Sequence, residues 1–395
     1  MFKDKKIIIL IVIGILIVGY VIWAIAKPAP KLSASTDVIA PPEVTASKVV
    51  WPAKGQAAIG AKDYGVVATN GEQVSAPIAS IAKTMLAISV LQQKPLKAGE
   101  QGPSITFTQA DIDKYNEYLA QNQSVVPIAL NESLTEYQAL QALMLPSGNN
   151  IAEALASWAF GSMEKYLAYA NNQAKTWGLT KTNFADASGF SPKTVSSAQD
   201  LVVLGNYALQ EPVLAEIVGQ SEVTLPVAGT VYNVNTLLGQ NNIMGIKTGN
   251  TDEAGGCFLF SAKNTVDGKE ITQIAAILGD TDLQTVLADA LKFVQTNTQC
   301  LAVETAVTKG QVVGNINVPW SGKTNLIAKD NVGILVTNGQ KIEIISQIND
   351  INAPLTQGAE VGMITVKSGE SVKTTPIVIE SQISTPSIFW KLLHP

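Results

Sequence analysis

The 395-residue chain contains no arginine and a single histidine, His394, next to its C-terminus. A nucleophile activated by histidine and a metal site built from several imidazoles are both excluded by that count. Only two cysteines are present, Cys257 and Cys300, too few for a disulfide framework and not arranged as Cys-x-x-Cys. They read as small buried apolar residues, with a single bridge as the alternative. Charge is sparse too: 27 lysines face 32 Asp+Glu, a formal net charge of −5, and no basic cluster is interleaved with aromatics. Without a positive field for phosphate backbones, nucleic-acid binding is not expected. Apolar residues are plentiful at 46%, enough in a chain of this length for more than one packed core.

Residues 7–26 (IIILIVIGILIVGYVIWAIA) carry no charge over 20 positions, the length an α-helix needs to cross a bilayer core. Lys3, Lys5 and Lys6 precede it, so 1–6 reads as a short cytoplasmic stretch and 7–26 as a single transmembrane helix with the rest of the chain extracytoplasmic. Ala24-Ile25-Ala26 has the A-x-A form of a cleavage site, which makes a signal peptide and a secreted product the rival. Residues 27–49, rich in Pro, Ala, Ser and Thr and without periodicity, are expected to be a stalk.

From 50 to 299 the order of signals implies helices on an antiparallel sheet, an α+β fold. Two short β runs are expected to meet at an Asn70-Gly71 hairpin turn. Helices are expected from near Ser80 (SIAKTMLAISVLQQ), over 134–146 and 150–178, and after Ser197-Ala198-Gln199-Asp200, which has the form of a capping box. Strand-like runs MGIKTG, GGCFLFSAK and ITQIAAILG follow, then a helix over 283–295. Short β runs over 300–380 predict a small all-β domain. The tail, 381–395, ends in SIFWKLLHP and either lies at a membrane interface or packs on that domain.

Without histidine, nucleophilic catalysis needs a hydroxyl activated by something else, and a lysine kept neutral by burial and a nearby cation is able to do it. Ser80 and Lys83, at the start of a helix, stand one turn apart on one face, where the helix N-terminus disfavours a protonated amine. The spacing alone is weak evidence, because Ser162-Met163-Glu164-Lys165 matches it as well. Ser147-Gly148-Asn149, on a Pro/Gly turn between helices, offers a hydroxyl and an amide to a cleft; taken alone it is a helix N-cap. Lys247-Thr248-Gly249 sets a cation, a hydroxyl and a glycine that permits close backbone approach on one strand. The similar Lys367-Ser368-Gly369 reads as an exposed turn.

The three motifs occur in one order, 67 residues from Ser80 to Ser147 and 100 from Ser147 to Lys247, the combination found in penicillin-binding enzymes. With APIASIAKTM, LPSGNNIAEALA, WGLTKTNFADASGFSPKTVSSAQDL, GIKTGNTDEAGGCF and a trailing β domain, the chain resembles the serine-type D-alanyl-D-alanine carboxypeptidases, the low-molecular-weight penicillin-binding proteins, from about residue 51 to 380. The resemblance implies a penicillin-binding/β-lactamase-like transpeptidase domain and an enzyme that removes the terminal D-alanine from peptidoglycan stem peptides and is acylated by β-lactams. It further implies that Ser80 attacks the D-Ala-D-Ala carbonyl, that Lys83 is the general base, and that Ser147 relays a proton toward the leaving D-alanine. Asn149 would bind the peptide amide, Lys247 and Thr248 the terminal carboxylate beside Gly249, and the backbone N–H groups of Ser80 and Asn250 would form the oxyanion hole. No metal or organic cofactor is implied.

Many members of that family carry an arginine on the strand after K-T-G; here the run ITQIAAILG puts Thr272 near that position. The carboxylate is then left to Lys247 with Thr248, or to Lys269 as a point charge. Two other readings compete. A β-lactamase of similar fold would need an E-x-x-L-N run between the second and third motifs, whereas Glu164-Lys165-Tyr166-Leu167 is followed by Ala168. A non-catalytic peptidoglycan-binding surface protein would need neither the nucleophile nor its base. Endopeptidase cleavage of cross-links also remains open.

Overall fold

The computed structural model describes residues 2–266, 268–369 and 371–394. Its first element, α1 (Phe2–Ala26), contains a 22-residue apolar stretch from Lys5 to Ala26 with mean hydropathy 3.1 and side chains exposed around most of its circumference. A helix that is Ile, Leu and Val all round has no face to turn to water.

The next segment is not a free stalk. Ser33–Thr36 forms β1, which pairs antiparallel with Gly314–Asn317, while Leu32 bridges to Ile351 and is buried with Ala46 in the C-terminal core. The sequence hid this because β1 lies at a sheet edge, where main-chain hydrogen bonds hold a strand without any apolar alternation.

The middle of the chain builds a five-stranded antiparallel sheet from β2 (Gln56–Ala61), β3 (Gly65–Asn70), β4 (Ile243–Thr251), β5 (Gly255–Val266) and β6 (Lys269–Asp280), in the spatial order β4-β5-β6-β2-β3. β2 and β3 turn at residues 62–64, with Asp63 at φ +66°, and not at Asn70-Gly71; that pair instead ends β3, where Gly71 (φ +73°) passes against the Gly55 backbone. Asn-Gly marked a real positive φ but not the hairpin. Leu259, Ile274 and Ala276 face one side of the sheet and Phe258, Phe260 and Ile277 the other, and both sides are buried. Near-continuous apolar strands result because helices cover both faces.

On the first face lie α2 (Ala82–Gln93), α3 (Gln109–Ala120), α4 (Glu136–Met144), α5 (Asn149–Phe160), α6 (Met163–Thr176) and α7 (Ala198–Gln210); on the second lies α8 (Leu283–Thr296). α2 is the spine, with every residue from Ala82 to Leu91 buried. An amine inside such a helix costs several kcal/mol as a cation, so Lys83 is not explained by packing. Gly161, at φ +80°, divides the helical stretch expected over 150–178 into α5 and α6. Ser197 caps α7 as expected, its Oγ accepting from Asp200 N at 3.2 Å, but the Asp200 carboxylate accepts from Lys181 N (2.8 Å) and Thr182 Oγ1 (2.8 Å). Cys257 and Cys300 are both free and buried.

The C-terminal strands are β7 (Ala302–Val307), β8 (Val312–Val318), β9 (Gly322–Ala328), β10 (Val332–Val336), β11 (Glu343–Ile348), β12 (Glu360–Ser368) and β13 (Ser371–Ile379). β1-β8-β9-β13-β12-β11 form one sheet and β7-β10 a two-stranded partner around a separate core. This domain holds on to the β2–β3 hairpin: Ser371 Oγ donates to Tyr64 O (3.3 Å), Lys373 Nζ to Asp63 O (2.9 Å) and Gln340 Nε2 to Val67 O. A last helix, α9 (Ile388–Leu393), lies against the C-terminal end of α1. Lys391 Nζ donates to Ile25 O (2.9 Å) and Lys27 O (2.8 Å), and Tyr20 OH donates to Leu392 O (2.7 Å). Trp390 meets Trp320 of the β domain edge-on, so the tail packs on that domain while Phe389 and Leu393 stay exposed beside α1.

Candidate active site

Ser80 is presented by a 3-10 turn, Ala79–Ile81, that runs directly into α2. The chain reaches it through Ala79 at φ +45°, and Ser147 stands at φ +66°. Left-handed backbone at non-glycine residues costs on the order of 1–3 kcal/mol each and persists only where the surroundings impose it.

One turn after Ser80, Lys83 is fully buried. Its Nζ lies 2.8 Å from Ser80 Oγ, 2.6 Å from Asn149 Oδ1 and 3.0 Å from Ser188 O. Burial first, and the Lys247 ammonium second, hold its pKa well below that of a free lysine, with Asp186 pulling the other way. A neutral amine has two N–H donors and one lone pair. Two of its three neighbours are carbonyl oxygens, which only accept. In the neutral form both N–H groups go to them, which leaves the lone pair for the Ser80 hydroxyl. A base ready to receive the Ser80 proton has this coordination.

Asn149 opens α5 with its backbone N–H on Ser124 O (2.8 Å) and its Nδ2 on Gln123 Oε1 (2.6 Å). Its side chain thus ties Lys83 to the segment after α3. Ser147 Oγ is buried and has no hydrogen-bond partner among the described residues.

Lys247 and Thr248 lie buried on β4, where desolvation lowers the Lys247 amine to about 7 and its Nζ donates to Thr248 O at 3.0 Å. A Cβ at Gly249 would come within 2.9 Å of Ile78 O and 3.0 Å of Ser80 N, so glycine is what lets β4 lie against the backbone of Ser80. Asn250 follows, level with Gly256, and the backbones of Ser80 and Asn250 thereby run on adjacent chains. From the other side Gly189 (φ +79°) presses on the same turn; a Cβ there would stand 1.8 Å from Ala79 O. Gly189→Ala is expected to slow acylation at least ~100-fold by displacing that turn. Acylation by a fluorescent penicillin checks it, and a parental rate would refute this role for the close approach.

The look-alike motifs separate cleanly. Ser162 is the N-cap of α6, its Oγ accepting from Lys165 N at 3.3 Å with Lys165 exposed, and Lys367 is exposed on β12. Neither Thr272 nor Lys269 lies level with Lys247-Thr248-Gly249. In the register of β6, Thr272 pairs with Lys263 and Lys269 with Val266, whereas the position level with Gly256 and Asn250 is Asp280. Eight strand residues, roughly 27 Å, separate Thr272 from that end. Lys269 instead lines a cleft of about 900 Å³ with Lys62 and Lys373, between the two domains. Of the two options left for the carboxylate, Lys247 with Thr248 is the one near Ser80. Among the described residues no three of His, Cys, Asp and Glu converge as metal ligands. Gln123, Asp186 and Ser188 were not singled out from sequence; the last two lie in FADASGF, a run conspicuous only as part of a longer similarity.

Residues 44–281 match the family described as D-alanyl-D-alanine carboxypeptidase, and residues 302–385 match the C-terminal domain of penicillin-binding protein 5. The chain is 25% identical over 266 residues to D-alanyl-D-alanine carboxypeptidase DacF of Bacillus subtilis, covering 64% of this chain and 67% of that protein. It is 25% identical over 268 residues to D-alanyl-D-alanine carboxypeptidase DacA of Escherichia coli K12, covering 65% of each. The match thus spans about two thirds of the length of these curated relatives. Penicillin-binding protein 5 of Haemophilus influenzae shares the fold, with a TM-score of 0.66 at 19% identity over 88% of this chain and all of that one.

Proposed function

This chain belongs to the D-alanyl-D-alanine carboxypeptidase family, and from that premise we propose that it removes the terminal D-alanine from peptidoglycan stem peptides through an acyl-enzyme on Ser80, with Lys83 as general base. The observation that carries this reading is the coordination of Lys83 Nζ, with two carbonyl oxygens taking its N–H groups and Ser80 Oγ at 2.8 Å. As Oγ bonds to the carbonyl carbon of the penultimate D-alanine, the Ser80 proton passes to Lys83 and the developing oxyanion meets the N–H groups of Ser80 and Asn250. The proton is then delivered through the Ser147 hydroxyl to the amine of the departing D-alanine as the peptide C–N bond breaks. Water, deprotonated by Lys83, attacks the ester and returns Ser80 and a peptide shorter by one residue.

Lys247 and Thr248 hold the carboxylate of the terminal D-alanine, a charge that a buried ammonium recognises better than an exposed one. β-Lactams acylate the same serine and are released slowly. The apolar stretch of α1 supports seating that helix in the cytoplasmic membrane with the remaining chain outside, single-pass; cleavage after Ala26 would instead give a secreted product.

Intact mass of the detergent-solubilised full chain after incubation with a penicillin, followed by proteolysis, tests the reading. The expected result is a stable adduct of the intact penicillin on the peptide containing Ser80. Antibiotic hydrolysed without a lasting adduct points to a β-lactamase, an adduct on another peptide removes Ser80 as nucleophile, and no reaction leaves a binding protein. The same spectrum shows whether residues 1–26 are retained.

A further inference from the structure

We infer that Asp186 is a positioning residue for the reaction: its carboxylate folds residues 186–194 so that the Ser188 carbonyl is held on Lys83 Nζ. The inference rests on the Ser80–Lys83 reading and adds to it the group that orients and tunes the base.

The geometry is a loop knotted on one carboxylate. Asp186 Oδ2 accepts from Ser188 Oγ (2.7 Å), Phe190 N (2.9 Å) and Ser191 N (3.4 Å). Its Oδ1 accepts from Thr194 Oγ1, which in turn accepts from Ala185 N (3.0 Å) and Asp186 N (3.1 Å). Both ends of the loop and its middle are therefore fixed by a single side chain and one hydroxyl. Between them Gly189 is pressed against Ala79 O, so the loop cannot shift without moving the turn that carries Ser80. Ser188 O is the outcome of this fold: a carbonyl 3.0 Å from Nζ. If that acceptor is lost, one N–H of the neutral amine is released, the amine can rotate, and its lone pair leaves Ser80 Oγ. Fixing a base by its non-reacting hydrogen bonds is how a second layer of residues serves a first.

Charge points the same way. The titratable groups around the amine are Lys247 on β4 and Asp186, which act on Lys83 in opposite directions. Tyr118 on α3, hydrogen-bonded to Glu153 on α5, and Tyr166 on α6 also lie in the Asp186 field. When Lys83 takes the Ser80 proton it becomes an ammonium beside another cation. Asp186 is the anion that favours this product, and it does so through fixed geometry rather than by moving into contact.

The test uses the full chain and the second-order rate of acylation by a fluorescent penicillin from pH 5 to pH 9, for the parent, Asp186→Asn and Thr194→Val. Asp186→Asn is expected to lower the plateau about 10- to 100-fold and to move the acid limb to lower pH, because the amine has lost a charge that favours its protonation. A purely structural lesion would lower the rate without moving that limb. Thr194→Val keeps the charge and loosens the loop, so its plateau should fall with the acid limb in place. An unmoved acid limb in Asp186→Asn overturns the inference, as does a plateau within twofold of the parent in either variant; if Asp186→Asn does not fold, Asp186→Ser, which also removes the charge, is read for the same displacement of the acid limb. A parent that is not acylated would defeat the Ser80–Lys83 reading and this inference with it, whereas an acylated parent with indifferent variants defeats the inference alone.

Discussion

Lys83→Ala is expected to lower the rate of acylation by a penicillin at least ~1000-fold in a protein that still folds. No histidine can take its place, because the only one is His394 in the last turn of the molecule. Folding should survive because two effects oppose each other. Truncation leaves Asn149 Oδ1 and Ser188 O without their donor, at about 1–3 kcal/mol each, but it also removes an amine whose burial is itself unfavourable. Lys83→Arg should be as inactive as alanine, since a guanidinium keeps its charge at every relevant pH and has no lone pair to offer. As the base, Lys83 would act only when neutral, so the parental rate is expected to fall as pH drops through its lowered pKa. A parental rate in the alanine variant, or a rate indifferent to acid, would remove Lys83 as the base.

Lys247→Ala should cost about 100- to 1000-fold in kcat/KM for a peptide ending in a free D-alanine carboxylate, and much less for the same peptide ending in an amide. The parent distinguishes the two peptides and the variant should not; an undiminished preference for the acid would place carboxylate recognition elsewhere. Two pH effects accompany the loss. Desolvation brings Lys247 to about 7, so its charge is present below that pH and disappears as pH rises through it. The parental preference for the carboxylate should therefore fade above neutrality. In the variant the acid limb should move to higher pH, because Lys247 is one of the two influences that keep Lys83 deprotonated. This displacement is opposite in sign to that expected for Asp186→Asn. The two lysines titrate as a pair, so the limbs report the pair and not either side chain in isolation.

The residues that the structure gathers around Lys83 were partly legible in the sequence because several of them are local to one another. Ser80 and Lys83 are one helical turn apart, and Ser147 and Asn149 share one turn between helices, so spacing alone brings each pair together. What joined the pairs was long-range: the Lys83–Asn149 contact crosses 66 residues and the Lys83–Ser188 contact 105, and nothing in a periodicity predicts either. Gln123, Ser188 and Asp186 stayed hidden for that reason, and Ser188 contributes a backbone carbonyl that any residue type could supply. Thr272 was misplaced because a sequence shows that a strand exists but not how far along it the neighbouring motif falls. The hairpin at Asp63 carries weaker turn chemistry than the Asn70-Gly71 pair nearby, and composition followed the stronger signal. Edge strand β1 was missed for the opposite cause: Ser-Ala-Ser-Thr has no pattern, yet backbone pairing needs none.

The clasp between α1, α9 and the β domain makes the protein a ruler. With α1 in a bilayer, a true stalk would let the catalytic cleft wander over a sphere whose radius grows with the square root of linker length. Here the chain leaving α1 is paired into a sheet within a few residues, and the opposite terminus is fastened to the same helix end by Lys391 and Tyr20. β13 begins at the β2–β3 hairpin of the catalytic sheet and, roughly 27 Å later, delivers the chain toward α9. Folded strands, not polymer statistics, then set the altitude at which the enzyme works. With α1 seated in a bilayer, only polymer within one thin layer above it would come within reach, and lengthening the segment after α1 would not extend that layer while the second fastening holds.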